Sequence, residues 1–144
     1  MNYFFDTSAL VKLYHKEKGT DKVLGIYKSR DKIVISELAR VEFYSTIYRK
    51  YRDGEIELKT LNILIKKFDS DSEERYEVLN FSPGITEQAQ DFISKFGKSR
   101  GIRALDSIQL SFFEFYCEKG DTFVCADVKL VKIAKEAKKK VLEP

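Results

Sequence analysis

The sequence predicts an α/β protein, a three-layer α/β/α sandwich around a central and mainly parallel sheet. Three observations predict it. Tyr3-Phe4-Phe5, Ile33-Val34-Ile35 and Thr122-Phe123-Val124-Cys125-Ala126 are short runs of apolar, aromatic or β-branched residues without polar alternation, which is how strands covered on both faces read. Between the runs, apolar residues recur at three- and four-residue steps, so strands alternate with helices from end to end. The chain is 144 residues long and 43% hydrophobic, enough for one core, and shows no repeat or low-complexity linker, so a single domain over residues 1–144 is expected.

The first run ends on Asp6, and Thr7-Ser8 then opens a helix carrying Ala9, Leu10, Leu13 and Tyr14, which Gly19 stops. Thr20 to Ser29 reads as a second helix with Val23, Leu24 and Tyr27 on one side. After the β-branched strand, Ser36 and Glu37 begin a long helix that Asp53-Gly54 ends, with Leu38, Val41, Tyr44, Tyr48 and Tyr51 as its expected core stripe. Leu58 to Phe68 is a further amphipathic helix. The acidic stretch Asp69 to Arg75 has no apolar cover and reads as a solvated loop or frayed end. Tyr76 to Phe81 is a strand, Pro83-Gly84 a turn, and a helix begins near Thr86. Ala104 to about Lys119 is a helix whose apolar face is Leu105, Ile108, Phe112, Phe115 and Tyr116. The fourth strand ends on Asp127, a helix with Leu130, Val131, Ile133 and Ala134 follows, and Val141-Leu142 makes an edge strand.

Composition excludes some classes. No stretch approaches the roughly 18 apolar residues of a membrane span, and nothing near Met1 reads as a signal peptide, so a cytoplasmic protein is expected. Cys117 and Cys125 match neither a zinc pair nor a redox motif and read as reduced. With 26 basic and 23 acidic side chains, the net charge of +3 is too small for a polycation that coats nucleic acid. The basic residues are clustered, however, at Arg49-Lys50-Arg52, at Lys95, Lys98, Arg100 and Arg103, and in the lysine-rich tail. Arg100 and Arg103 precede Asp106 and are placed to hold phosphates if that residue belongs to a site.

Asp6 and Asp127 each close a strand before a helix, and Glu42 and Asp106 lie beside helical apolar stripes. Each has an ordinary role available: Asp6 as a helix cap, Asp106 in a first turn facing the helix dipole, Glu42 as a solvated glutamate. If strand order reverses between the first and fourth strands, their carboxyl ends border one crevice and the four carboxylates meet there. Oxygen-only ligands of that kind suit Mg²⁺ or Mn²⁺, an ion that polarises a phosphate and activates water.

Phe5-Asp6-Thr7-Ser8-Ala9-Leu10-Val11-Lys12, Ser36-Glu37-Leu38-Ala39-Arg40-Val41-Glu42-Phe43, Ala104-Leu105-Asp106-Ser107-Ile108-Gln109-Leu110 and Ala126-Asp127-Val128-Lys129-Leu130 resemble, in order, the four motifs of the PIN-domain family and its VapC-type toxins. The resemblance implies a divalent-metal ribonuclease with Asp6, Glu42, Asp106 and Asp127 as catalytic metal ligands and Ser8 in support. It also implies a homodimer and a possible antitoxin partner. Cys125 stands where the last motif commonly has a small hydroxyl. The competing reading is a catalytically inactive PIN-like RNA-binding or scaffold module. A haloacid-dehalogenase type phosphatase needs a second aspartate where Ser8 stands, and His15, the only histidine, excludes a paired-histidine mechanism.

Overall fold

The computed structural model describes residues 1–144. In chain order the elements are β1 (Asn2–Phe5), α1 (Thr7–Leu10) continued by a 3-10 turn over Val11–Leu13, α2 (Thr20–Lys28), β2 (Lys32–Ser36), α3 (Glu37–Arg52), α4 (Leu58–Glu74), β3 (Tyr76–Leu79), α5 (Pro83–Arg100), α6 (Ala104–Tyr116), β4 (Thr122–Val124), α7 (Val128–Glu136) and β5 (Val141–Leu142). The five strands form one sheet in the order β3-β2-β1-β4-β5, and every pairing is parallel. The chain steps outward from β1 through β2 to β3, then returns to the other side of β1 as β4. The sheet therefore reverses direction between β1 and β4, with Phe5 in register with Val124.

Two-residue alternation explains why the strands read as unbroken apolar runs. Phe5, Ile33, Ile35 and Val124 enter a core of 16 buried residues on one face, while Phe4, Val34 and Phe123 enter a core of 15 on the other, so both faces are covered about equally. The first core takes Ala39, Phe43 and Ile47 from α3 and Leu61 and Phe68 from α4. The second takes Ile85, Phe92 and Phe96 from α5, Leu110 and Phe112 from α6, and Leu130 and Val131 from α7. These are the three layers the sequence predicts.

Several element-level expectations change. On α3 the buried stripe is Ala39, Phe43, Ile47 and Lys50, whereas Val41 is 68% exposed and Tyr44, Tyr48 and Tyr51 face outward. Both sets satisfy helical spacing, and in the stripe that wins Phe43, Ile47 and Lys50 each lie one residue before Tyr44, Tyr48 and Tyr51, about 100° around the helix. It wins because Phe43 stacks on Phe68 with ring centroids 3.9 Å apart. On α6, Phe112 is buried but Leu105, Phe115 and Tyr116 are exposed, and the packed face runs through Ser107, Leu110 and Ser111. Those serines bury without penalty because each hydroxyl donates to a carbonyl one turn back, Ser107 to Ala104 and Ser111 to Ser107, both at 2.6 Å.

The acidic stretch expected as a solvated loop or frayed helix end is the last part of α4, and it is not solvated throughout, since Asp71 and Ser72 are buried. Asp71, 4% exposed, accepts hydrogen bonds from the hydroxyls of Tyr14 (2.6 Å) and Tyr27 (2.9 Å) and from the Lys67 ammonium (2.6 Å), and Tyr14 is 2.5 Å from the Tyr76 hydroxyl. Its tyrosine partners come from distant parts of the chain, which local periodicity does not report. Both cysteines are free, and Cys125 is buried. His15 is half-buried with its Nδ1 unpartnered. No helix is long and apolar enough to cross a membrane.

Candidate functional site

The reversal between β1 and β4 leaves an opening at the carboxyl ends of the strands, and the chain delivers a carboxylate to it from each side. Asp6 follows β1 directly, its backbone N–H donating to Val124 at 2.9 Å, so the sheet itself holds its position. Asp127 caps α7 by accepting from the Leu130 N–H at 2.9 Å. Glu42 comes from the second turn of α3 and Asp106 from the first turn of α6. All four line one crevice of about 620 Å³, whose walls also include Ser8, Val41, Ser45, Thr46, Arg49 and Leu105. A smaller cavity of about 480 Å³ shares Glu42, Asp106 and Asp127 and adds Arg103 and Lys129.

The carboxylates feel one another. Burial, first of all, pushes Asp6 up from 3.8 to about 6; Glu42 adds to the shift, while hydrogen bonds from Ser8 and Cys125 oppose it. Burial also leads in raising Asp106 to about 6, with Asp127 and then Asp6 contributing and Arg103 and Lys129 opposing. Glu42 is raised as well, chiefly by burial; hydrogen bonds from Gln109 and Thr7 oppose that shift and the Asp106 charge adds to it.

One oxygen each of Asp6, Glu42 and Asp127 is nevertheless taken up by a protein donor. Asp6 Oδ2 accepts from the Ser8 hydroxyl at 2.5 Å and the Ser8 N–H at 3.1 Å, and the Cys125 thiol points to it at 3.6 Å. Glu42 Oε1 accepts from Gln109 Nε2 at 2.7 Å and from Thr7 Oγ1 at 3.0 Å. Asp127 Oδ1 is the α7 cap. No group of three or more His, Cys, Asp or Glu side chains is placed so that it could hold a metal ion. This overturns the expectation of an Mg²⁺- or Mn²⁺-dependent ribonuclease in which Asp6, Glu42, Asp106 and Asp127 are joint metal ligands. Neither the divalent cofactor nor a nuclease or phosphodiester hydrolase activity built on it is supported. The physical reason is that shared location is not shared aim: one oxygen each of Asp6, Glu42 and Asp127 is already turned to Ser8, to Thr7 and Gln109, and to Leu130.

Ser8 stands beside Asp6 as expected, and its hydroxyl also accepts from the Ala126 N–H at 3.0 Å, tying the β1 and β4 ends together. Cys125, in place of a hydroxyl, lies 3.7 Å from Ser8 Oγ. Arg103 reaches the carboxylates. Arg100 does not line either cavity and is ion-paired with Glu136 on α7. The residues missed were Thr7, Ser36 and Gln109. Buried Gln109 donates to both Glu42 and Thr7 and accepts from Ser36 Oγ at 2.8 Å, so one polar chain links β2, α3, α6 and α1. Its place one helical turn after Asp106 was the available signal.

Fold and site together define a parallel α/β sandwich with an acidic crevice at its switch point. The PIN-domain family profile matches residues 3–136, and the chain belongs to the PIN-domain family. Among solved structures it is similar to VapBC2 from Rickettsia felis bound to a promoter DNA fragment, at 17% identity, TM-score 0.69, covering 100% of this chain and 99% of that one. It is similar also to FitAcB from Neisseria gonorrhoeae (14% identity, TM-score 0.73, 99% and 97% covered). A third is VapC20 from Mycobacterium tuberculosis, a sarcin-ricin loop cleaving toxin (14% identity, TM-score 0.69, 99% of both chains). The fold is thus related to those of several toxin–antitoxin toxins, at an identity that establishes fold alone. No curated protein sequence matches the chain.

Proposed function

We propose that residues 1–144 form a single PIN-like domain that works by binding, as an RNA-binding or scaffold module of the toxin–antitoxin type. The observation that carries this reading is the crevice itself: four carboxylates, three of them with an oxygen engaged by protein donors, edged by the cations Arg49, Arg103 and Lys129. Ionised carboxylates accept hydrogen bonds from sugar hydroxyls and base amino groups, while guanidinium and ammonium groups hold phosphates. In this reading Asp6, Glu42, Asp106 and Asp127 are ligand-contacting groups, Ser8 fixes Asp6, and Arg103 contacts phosphate; the Arg100–Glu136 ion pair makes Arg100 secondary.

The likeness to VapBC2 bound to promoter DNA supports one protein partner, a DNA-binding antitoxin-like protein, and a second copy of the chain is the other partner in this reading. The exposed face of α3, with Tyr44, Tyr48 and Tyr51, offers aromatic surface for such contacts.

The test is a single reaction read two ways. Labelled single-stranded RNA is incubated with the protein in Mg²⁺, in Mn²⁺ and in EDTA, and anisotropy and a denaturing gel are taken from the same samples. Saturable binding with intact RNA in all three is expected. Metal-dependent cleavage that Asp106→Asn abolishes would overturn the reading.

A further inference from the structure

The excess positive charge of the chain is gathered on one helix and its exit. Residues 128–140 hold six lysines and a single glutamate, a net +5 against +3 for the whole molecule, so everything outside that segment sums to −2. On α7, Leu130, Val131, Ile133 and Ala134 enter the second core, while Lys129, Lys132 and Lys135 are exposed. These lysines follow at three-residue steps, each about 4.5 Å along the helix and about 60° around it, so they form one ridge. None of them makes an ion pair, and the segment's one acid, Glu136, is taken by Arg100 of α5. The ridge begins at Lys129, which also edges the smaller cavity beside the carboxylates.

The exit from α7 extends the ridge at a cost. Lys138 is the one non-glycine residue with a positive φ, at 58°. Its N–H donates to the Lys135 carbonyl and the Lys139 N–H to the Ala134 carbonyl, both at 2.9 Å, a helix ending whose left-handed position glycine ordinarily takes. Glycine would relieve the strain. The lysine in its place adds an exposed ammonium without an ion pair, so strain is accepted where a charge is gained.

Resting on the RNA-binding reading, we propose that Lys132, Lys135 and Lys138 hold the phosphate backbone of a double-helical RNA segment, on a surface separate from the acidic crevice. Ammonium groups are point charges that meet phosphates without reading bases. A duplex carries one charge about every 1.7 Å of its axis, dense enough to meet every lysine of the ridge. No aromatic residue stands on α7, so unpaired bases find no stacking platform there, which favours a duplex over a single strand. A membrane surface fits less well, because the apolar side of α7 is spent on the core and leaves Val128 alone to insert. RNA is the occupant because Lys129 joins the ridge to the crevice, so one molecule with a duplex and a single-stranded end reaches both.

The experiment is anisotropy of a labelled RNA of about ten base pairs, roughly one duplex turn, bearing a single-stranded overhang, and of the overhang alone, over a salt series. The parent is expected to bind the duplex probe several-fold more tightly than the overhang. K132A/K135A, which keeps good helix formers on a solvated face, is expected to lose that advantage, to make the log–log salt slope shallower by about 2, and to bind the overhang as the parent does. K138G is expected to make the slope shallower by about 1 while melting at or above the parent. K59A/K66A, which removes two exposed charges from α4 in the other helical layer, matches the parent. A K132A/K135A protein indistinguishable from the parent on the duplex probe overturns the ridge, as does equal weakening by K59A/K66A. A K138G protein with the parent's slope overturns the part given to Lys138. Tighter binding of the DNA duplex of the same sequence overturns RNA as the occupant, and equal competition by polyglutamate overturns the phosphate backbone. Duplex binding without overhang binding overturns the crevice reading and leaves the ridge standing. Binding of neither probe overturns both.

Discussion

Asp6 shows how one residue joins sheet, crevice and stability. It is 6% exposed, and burial more than any neighbour raises its carboxyl from 3.8 to about 6. Between those values the folded protein keeps a proton that the unfolded chain has lost. Stability from the neutral form is complete below about pH 3.8 and is lost as pH rises through about 6, after which the buried charge costs about 3 kcal/mol. Asn at this position can still accept from the Ser8 N–H and hydroxyl while carrying no charge. Asp6→Asn is therefore expected to be about 2 to 3 kcal/mol more stable than the parent at pH 7.5, with the margin vanishing near pH 4. Urea melts of both proteins across that range measure it. An Asn variant less stable than the parent at pH 7.5 would show that the carboxylate charge itself holds the β1 end.

Among the elements, α4 depends on contacts its own sequence does not advertise. Asp71 receives two tyrosine hydroxyls and a lysine, and removing its carboxylate takes one partner from each, although Tyr14 keeps Tyr76 and Tyr27 keeps Lys67. With each hydrogen bond to a charged group contributing about 1.5 to 3 kcal/mol, Asp71→Ala is expected to lower unfolding stability by about 3 kcal/mol, and none of these residues lines the crevice. A loss under about 0.5 kcal/mol in a denaturant melt would mean that water replaces the network. The same residue shows what could be read in advance. Strands such as Ile33-Val34-Ile35 declare themselves because both faces are covered, and the caps at Asp6, Ser36 and Asp127 sit where the sequence places element boundaries. The tyrosines of α3 and the aromatics at the end of α6 mislead because tyrosine and phenylalanine satisfy helical spacing whether they face core or solvent. Asp71 misleads because its tyrosine partners lie 44 and 57 residues away in the chain.

For the whole molecule, four motifs in order were enough to place four carboxylates at one edge of one sheet. Their aim was not legible. Convergence depends on rotamers and on donors such as Thr7 and Gln109, and a spacing pattern is silent about both. The crevice is thereby predicted to be an acceptor surface with cationic ends and not a cation cage. The most direct measurement is a titration of the protein with Mn²⁺ near pH 7, following free Mn²⁺ by electron paramagnetic resonance, for the parent and for Asp106→Asn. The account predicts the same weak, non-saturating uptake in both. Stoichiometric uptake by the parent that Asp106→Asn abolishes would contradict it.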